Sequence, residues 1–214
     1  METFEKTRLN QIKRVPKRGH YDKATVYGIL DAASVGHVGF SVDDQPFVIP
    51  TIYGRDGDTL YLHGATTSRM LVQLQKGLPV CLTVTHIDGL ILARSAFHHS
   101  MNYRSAVVFG TARLVSEEDK LHALEVISEQ ILKGRWSEIR RPNEKELKAT
   151  SVVALEIEQA SAKVRTGPPV DDAEDYDLPI WAGILPIQQV YGQPISDPAA
   201  KQSLELPPSV RGML

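Results

Sequence analysis

Between residues 37 and 115 the chain breaks into short β-forming runs separated by turn residues, and few architectures accept that spacing. The runs cover residues 37–42, 45–53, 59–63, 79–85, 90–95 and 104–115. Arg55-Asp56-Gly57-Asp58 separates the second from the third, and Gly57 can take the positive φ that a tight reversal needs. Six such strands in succession form a mainly antiparallel meander, long enough to close into a barrel. Residues 151–165 return as one further strand, with Val153, Leu155 and Ile157 on one face and Glu156 and Glu158 on the other.

Helices flank these strands. Asp22 caps one that carries Tyr27, Ile29 and Leu30. A second starts near Ser68, where Thr66, Thr67 and Ser68 are good caps, repeats Met70, Leu71 and Leu74, and stops at Gly77. A third, over 117–132, lines up Leu121, Leu124, Ile127 and Ile131 as a stripe to pack on the barrel or a partner. The expected class is therefore α+β, mainly β with flanking helices. Residues 1–165 form the barrel domain and residues 166–214 a loop-rich extension packed on or wrapping it. Within that extension Trp181 is expected to cover core.

The chain has 214 residues, 42% of them hydrophobic, so it can bury one sizeable core, and its net charge of −2 gives no electrostatic reason to expect nucleic acid. The basic lead-in of residues 13–19 reads as a solvated arm. Cys81 is the only cysteine, which leaves no intrachain disulfide, and its strand-like setting suits a buried small hydrophobe. The amino terminus lacks an apolar signal core and no run approaches membrane-spanning length, so a cytoplasmic protein is expected. There is no paired-cysteine metal motif, dinucleotide glycine motif or nucleophile elbow.

Two segments carry chemistry. At the helix start after His63-Gly64, unpaired N–H groups favour an anion and Arg69 can grip phosphate oxygens bidentately. The same residues also suit an ordinary capped surface helix with a solvated arginine. The second segment, His98-His99-Ser100-Met101-Asn102-Tyr103-Arg104, lies between apolar strands and suits contact with a ligand or partner subunit, or a hydrogen-bonded polar loop.

Five blocks, in order, are residues 47–53, 60–65, Ser68-Arg69, 79–85 and 103–110. Together they resemble the flavin-binding split β-barrel family related to pyridoxamine 5′-phosphate oxidase, and within it the nitroimidazole-resistance branch. The likeness spans about residues 14–165. It implies a split β-barrel homodimer with FMN at the interface. By that resemblance Val48, Ile49, Pro50, Thr51 and Tyr53 belong to the strand whose backbone lines the flavin ring. His63 and Gly64 fall near the phosphate, Ser68 and Arg69 hold it, and Tyr103 and Arg104 approach the flavin across the subunit boundary. Met70 stands where the family has a phosphate-binding lysine, and Val48 and Tyr53 replace the oxidase's arginine and lysine, which argues against vitamin B6 oxidation.

Three functions follow from the resemblance: an FMN-dependent oxidoreductase acting on a small substrate such as a nitroaromatic or quinone-like compound, a flavin carrier or sensor, and a haem-binding relative. The last is motivated by His63, His86, His98 and His99 in one stretch. For the first, His98 or His99 is the candidate proton donor, because imidazole titrates near neutral pH.

Overall fold

The computed structural model describes residues 2–202 and 204–214. Its strands are β1 (Gly19–His20), β2 (Val35–Val42), β3 (Gln45–Asp56), β4 (Thr59–Ala65), β5 (Pro79–Leu92), β6 (Ser100–Leu114), β7 (Thr150–Glu156), β8 (Gln159–Arg165) and β9 (Gly183–Pro186). Helices α1 (Lys23–Asp31), α2 (Arg69–Leu74), α3 (Lys120–Ile131), α4 (Glu144–Ala149) and α5 (Pro208–Arg211) lie between and after them. Every strand pairing is antiparallel. Strand β6 pairs with β7, then β4, β3, β2 and β5 follow in turn, and β5 returns to β6, so six strands close a ring. This is the expected barrel. Strands β8 and β1 extend from β6, and β9 extends from β5.

The period-two pattern fills the barrel. Val38, Phe40, Leu60, Leu62, Leu82, Val84, Val108 and Leu155 are buried inside it. Burying each such side chain contributes about 1.5–3 kcal/mol. Helix α1 adds Val26, Ile29 and Leu30, and α2 adds Met70, Leu71 and Leu74. Asp22 caps α1 as expected, its carboxylate accepting from the Thr25 amide at 2.8 Å. Helix α3 crosses the outside of β3 at a point where only glycine fits: a Cβ on Gly54 would lie 2.6 Å from the Ile127 nitrogen.

Several expectations change. The expected strands 79–85 and 90–95 merge into one strand, β5, which continues through residues 86–89 with a register shift between Ile87 and Gly89 and ends at Leu92, leaving residues 93–95 outside it. The expected return strand 151–165 runs in one direction along β6 but is split by a bulge at Ile157-Glu158 into β7 and β8, both antiparallel to β6, and there the Glu158 amide donates to the Phe109 carbonyl of β6 at 3.1 Å. On α3 the buried residues include Ala123 and Ile127, while Leu121 and Ile131 are exposed, because close approach at Gly54 narrows the covered stripe. Trp181 does not cover core: it is 67% exposed, lying against Gly183 at the start of β9. Among the described residues no helix is long and apolar enough to cross a membrane.

Candidate cofactor site

The ring has an opening. Strand β3 pairs with β2 from Gln45 to Ile52, but with β4 only from Tyr53 to Asp56. Along residues 46–52 its other edge therefore has no strand partner among the described residues. Backbone N–H and C=O groups on such an edge need partners, and a planar heteroaromatic ring with its own donors and acceptors can supply them. Val48, Pro50 and Ile52 are exposed on the outer face, while Phe47, Ile49 and Thr51 alternate with them and are half-buried. Tyr53 differs: its ring is fully buried and its hydroxyl donates to the Leu30 carbonyl, so only its main chain is available to a ligand. Burial also pushes the Tyr53 phenol above its usual range.

Helix α2 brings charge to this opening. The Arg69 guanidinium stacks on the Phe47 ring at 4.9 Å, and Phe47 stacks on Phe40 at 5.5 Å. None of the ion pairs among the described residues engages Arg69. Ser68 occupies the cap position but makes no side-chain cap bond, which leaves its hydroxyl for another acceptor. Met70 is buried in the core beneath α2. A lysine there would lie inside the barrel, which explains in packing terms why this position is apolar.

His63 and Gly64 end β4 beside α2, and a Cβ on Gly64 would meet Leu71 at 3.2 Å. Tyr53 and Leu62 are opposed and both face the core, so their neighbours Ile52 and His63 share the outer face. His63 Nδ1 is buried and has no hydrogen-bond partner. Burial holds this imidazole below the usual histidine range, so it is neutral near pH 7. Among the described residues only one other buried side-chain nitrogen or oxygen is unpartnered, Arg94 Nε. Arg94 has a structural role: it pairs with the fully buried Asp171 at 3.1 Å, stacks on Tyr176, and so latches the chain after β8 to the end of β5.

The other histidines of the same stretch are separated by the fold. His86 Nε2 lies 3.0 Å from the Ile29 carbonyl. His98 ends a 3₁₀ turn with Nε2 3.3 Å from Asp172, and His99 places Nδ1 2.9 Å from the Ser95 carbonyl. Tyr103 and Arg104 lie at the start of β6, opposite Ile87 and His86. Arg104 grips Asp88 through Nε and Nη2 at 3.0 and 2.8 Å, which holds the Asp88 carboxyl below the usual carboxylate range. Within one chain, then, the structure assembles the β3 edge, His63, Gly64, Ser68 and Arg69, leaves Arg104, His98 and His99 in other contacts, and places Tyr103 on β6 between Ile87 and Arg165. Cys81 is half-buried, with its thiol pushed up by burial.

Two features escaped the sequence reading. The capping box Asn143–Glu146 that starts α4 has a local signal, Asn-x-x-Glu. The unpartnered nitrogen of His63 has none, because sheet register sets it.

The sequence profile described as pyridoxamine 5′-phosphate oxidase matches residues 22–164, most of the chain and all six strands of the ring. The chain belongs to the pyridoxamine 5′-phosphate oxidase family. No curated protein matches it. Among solved structures, this family member is similar to the flavocytochrome Anf3 from Azotobacter vinelandii, with 38% identity, 97% of each chain covered and a TM-score of 0.90. It is also similar to the FAD and haem binding protein from Mycobacterium smegmatis, with 36% identity, 92% of this chain and 97% of that one covered and a TM-score of 0.88. A proposed 5-nitroimidazole antibiotic resistance protein from Bacteroides thetaiotaomicron is 23% identical over 79% of this chain and 90% of that one, with a TM-score of 0.58, a likeness of fold.

Proposed function

We propose that this protein is a redox protein that binds both a flavin and a haem, with the flavin along the open edge of β3 and His63 as an iron ligand. The reading rests on one observation: an unpaired strand edge and a half-buried imidazole whose buried Nδ1 has no partner share one outer face of the barrel. Near full-length similarity to two proteins described as a flavocytochrome and as an FAD and haem binding protein supports it. The same likeness supports reading the flavin as FAD rather than the FMN first expected, and the protein as a relative of those two rather than of the nitroimidazole-resistance branch. Flavin and haem together supply electron transfer in both two-electron and one-electron units. The chain's part is to hold and orient them. Ser68 offers a hydroxyl and Arg69 a charge to the phosphate, Phe47 holds the guanidinium flat, and His63 presents a nitrogen that is already unprotonated and desolvated. His98 and His99, already engaged with Asp172 and Ser95, fasten the connection after β5 in this reading and are not its proton donors.

Arg69→Ala tests the flavin site. A charge-assisted phosphate contact contributes about 1.5–3 kcal/mol, so the variant should bind flavin about ten- to a hundredfold more weakly. Unchanged flavin affinity would remove Arg69 from the site.

A homodimer belongs to the same proposal. Residues 178–196 contain no charged residue, yet Trp181, Val190 and Ile195 are 67%, 78% and 95% exposed. Phe97 stands out at 87% beside the polar segment that follows β5. So much apolar surface calls for cover, and a second copy supplies it by two-fold pairing. Light scattering should return twice the chain mass; a flavin-loaded monomer would exclude the arrangement.

A further inference from the structure

A second depression lies beyond the β3 edge, where the end of α1, the start of β2, the bulge of β5, α3 and the passing extension meet. Its volume is about 1260 Å³. That is ample for a fused-ring ligand. Five large apolar side chains around it, Val35, Ile87, Ile131, Ile187 and Met213, are left 38–46% exposed. Val35 is registered opposite Ile52, so the rim of this cleft meets the end of the open edge.

Its charges are arranged unlike those of a phosphate site. Arg55 is held in two bonds of 2.6 Å by Asp31, Arg104 by Asp88, and His122 lies 3.0 Å from Asp56. Only Glu125, Glu129 and Lys133 remain outside these pairs, and Glu129 already accepts from the amides of Gly134 and Trp136. In all, five carboxylates face three cations, a net charge of −2 with the histidines neutral. An anion entering here meets repulsion and cations that already have partners. An uncharged ring meets apolar walls.

We propose that this cleft binds the substrate of the flavin site, and that it selects uncharged or cationic planar aromatic molecules and turns away anionic ones such as phosphate esters and dinucleotides. The choice of flavin as the neighbour rests on the function proposed above; the selectivity rests on the cleft alone.

Two anthraquinones of the same ring system, one bearing a 2-hydroxymethyl group and one a 2-sulfonate, test it by equilibrium dialysis against the protein as purified. The hydroxymethyl compound should bind about tenfold more tightly, since two net charges within several ångströms in a high-dielectric cleft repel the sulfonate by that factor. Glu125→Lys should narrow the ratio, and Ile131→Trp should block the neutral ligand while leaving flavin content unchanged. Equal affinities for the two compounds, or neutral binding untouched by Ile131→Trp, would overturn the proposal. A flavin-free protein that kept the preference would support the cleft and defeat the flavin reading instead.

Discussion

Gly110→Ala should lower stability by about 3 kcal/mol or more, a fall in Tm of about 6–12 °C for a chain of this size. Gly110 lies where β6 exchanges β8 for β7 as its neighbour, opposite the bulge at Ile157-Glu158. A Cβ there would stand 1.9 Å from the Glu156 carbonyl oxygen and 3.2 Å from Leu155. The obstacle is backbone, so no rotamer change relieves it, and the bulged segment between β7 and β8 must move away from β6. Gly28→Ala is the control. It lies on exposed helix with nothing within 4 Å of the added carbon, and should leave Tm unchanged or raise stability by up to about 1 kcal/mol. Equal Tm for Gly110→Ala and the parent protein would contradict the close crossing of these strands.

His63→Ala should reduce haem content by more than about tenfold while leaving flavin bound. The prediction separates two effects of the side chain. As a folding element His63 contributes little, since its Nδ1 is buried without a partner and removing an unsatisfied polar group is nearly neutral. As an iron ligand it would be first in line: burial keeps the imidazole neutral, so no proton competes with the metal near pH 7. His86→Ala breaks the contact to Ile29 and should cost stability but not the Soret band. The readout is the ratio of Soret to flavin absorbance in the purified variants. A Soret band that survived His63→Ala and vanished in His86→Ala would move the haem to the other side of β5.

The contrast between these histidines marks where the sequence is legible. Helix α1 could be placed because Asp22 and its apolar repeat act within a few residues, and the barrel strands could be placed because alternation is local too. The bulge at Ile157-Glu158 could not, since the alternation of apolar residues and charges runs straight through it. The bulge is specified from outside, by the Phe109 carbonyl and by the close passage of Gly110. The site divides in the same way. Ser68 and Arg69 stand out as a cap and a charge after a strand, whereas the open edge of β3 exists because β4 stops pairing at Tyr53, a consequence of ring closure. His63 gains its isolation from β4 lying against β7, with Val152 as its register partner. The isolation of His63 follows from a pairing about ninety residues apart, and no window along the chain contains it.

The visible spectrum of freshly purified protein, followed by extraction of its pigments, tests the central claim most directly. A flavin that chromatographs as FAD, together with a Soret band, is the predicted result. A colourless protein that also fails to take up added flavin and haem would contradict it.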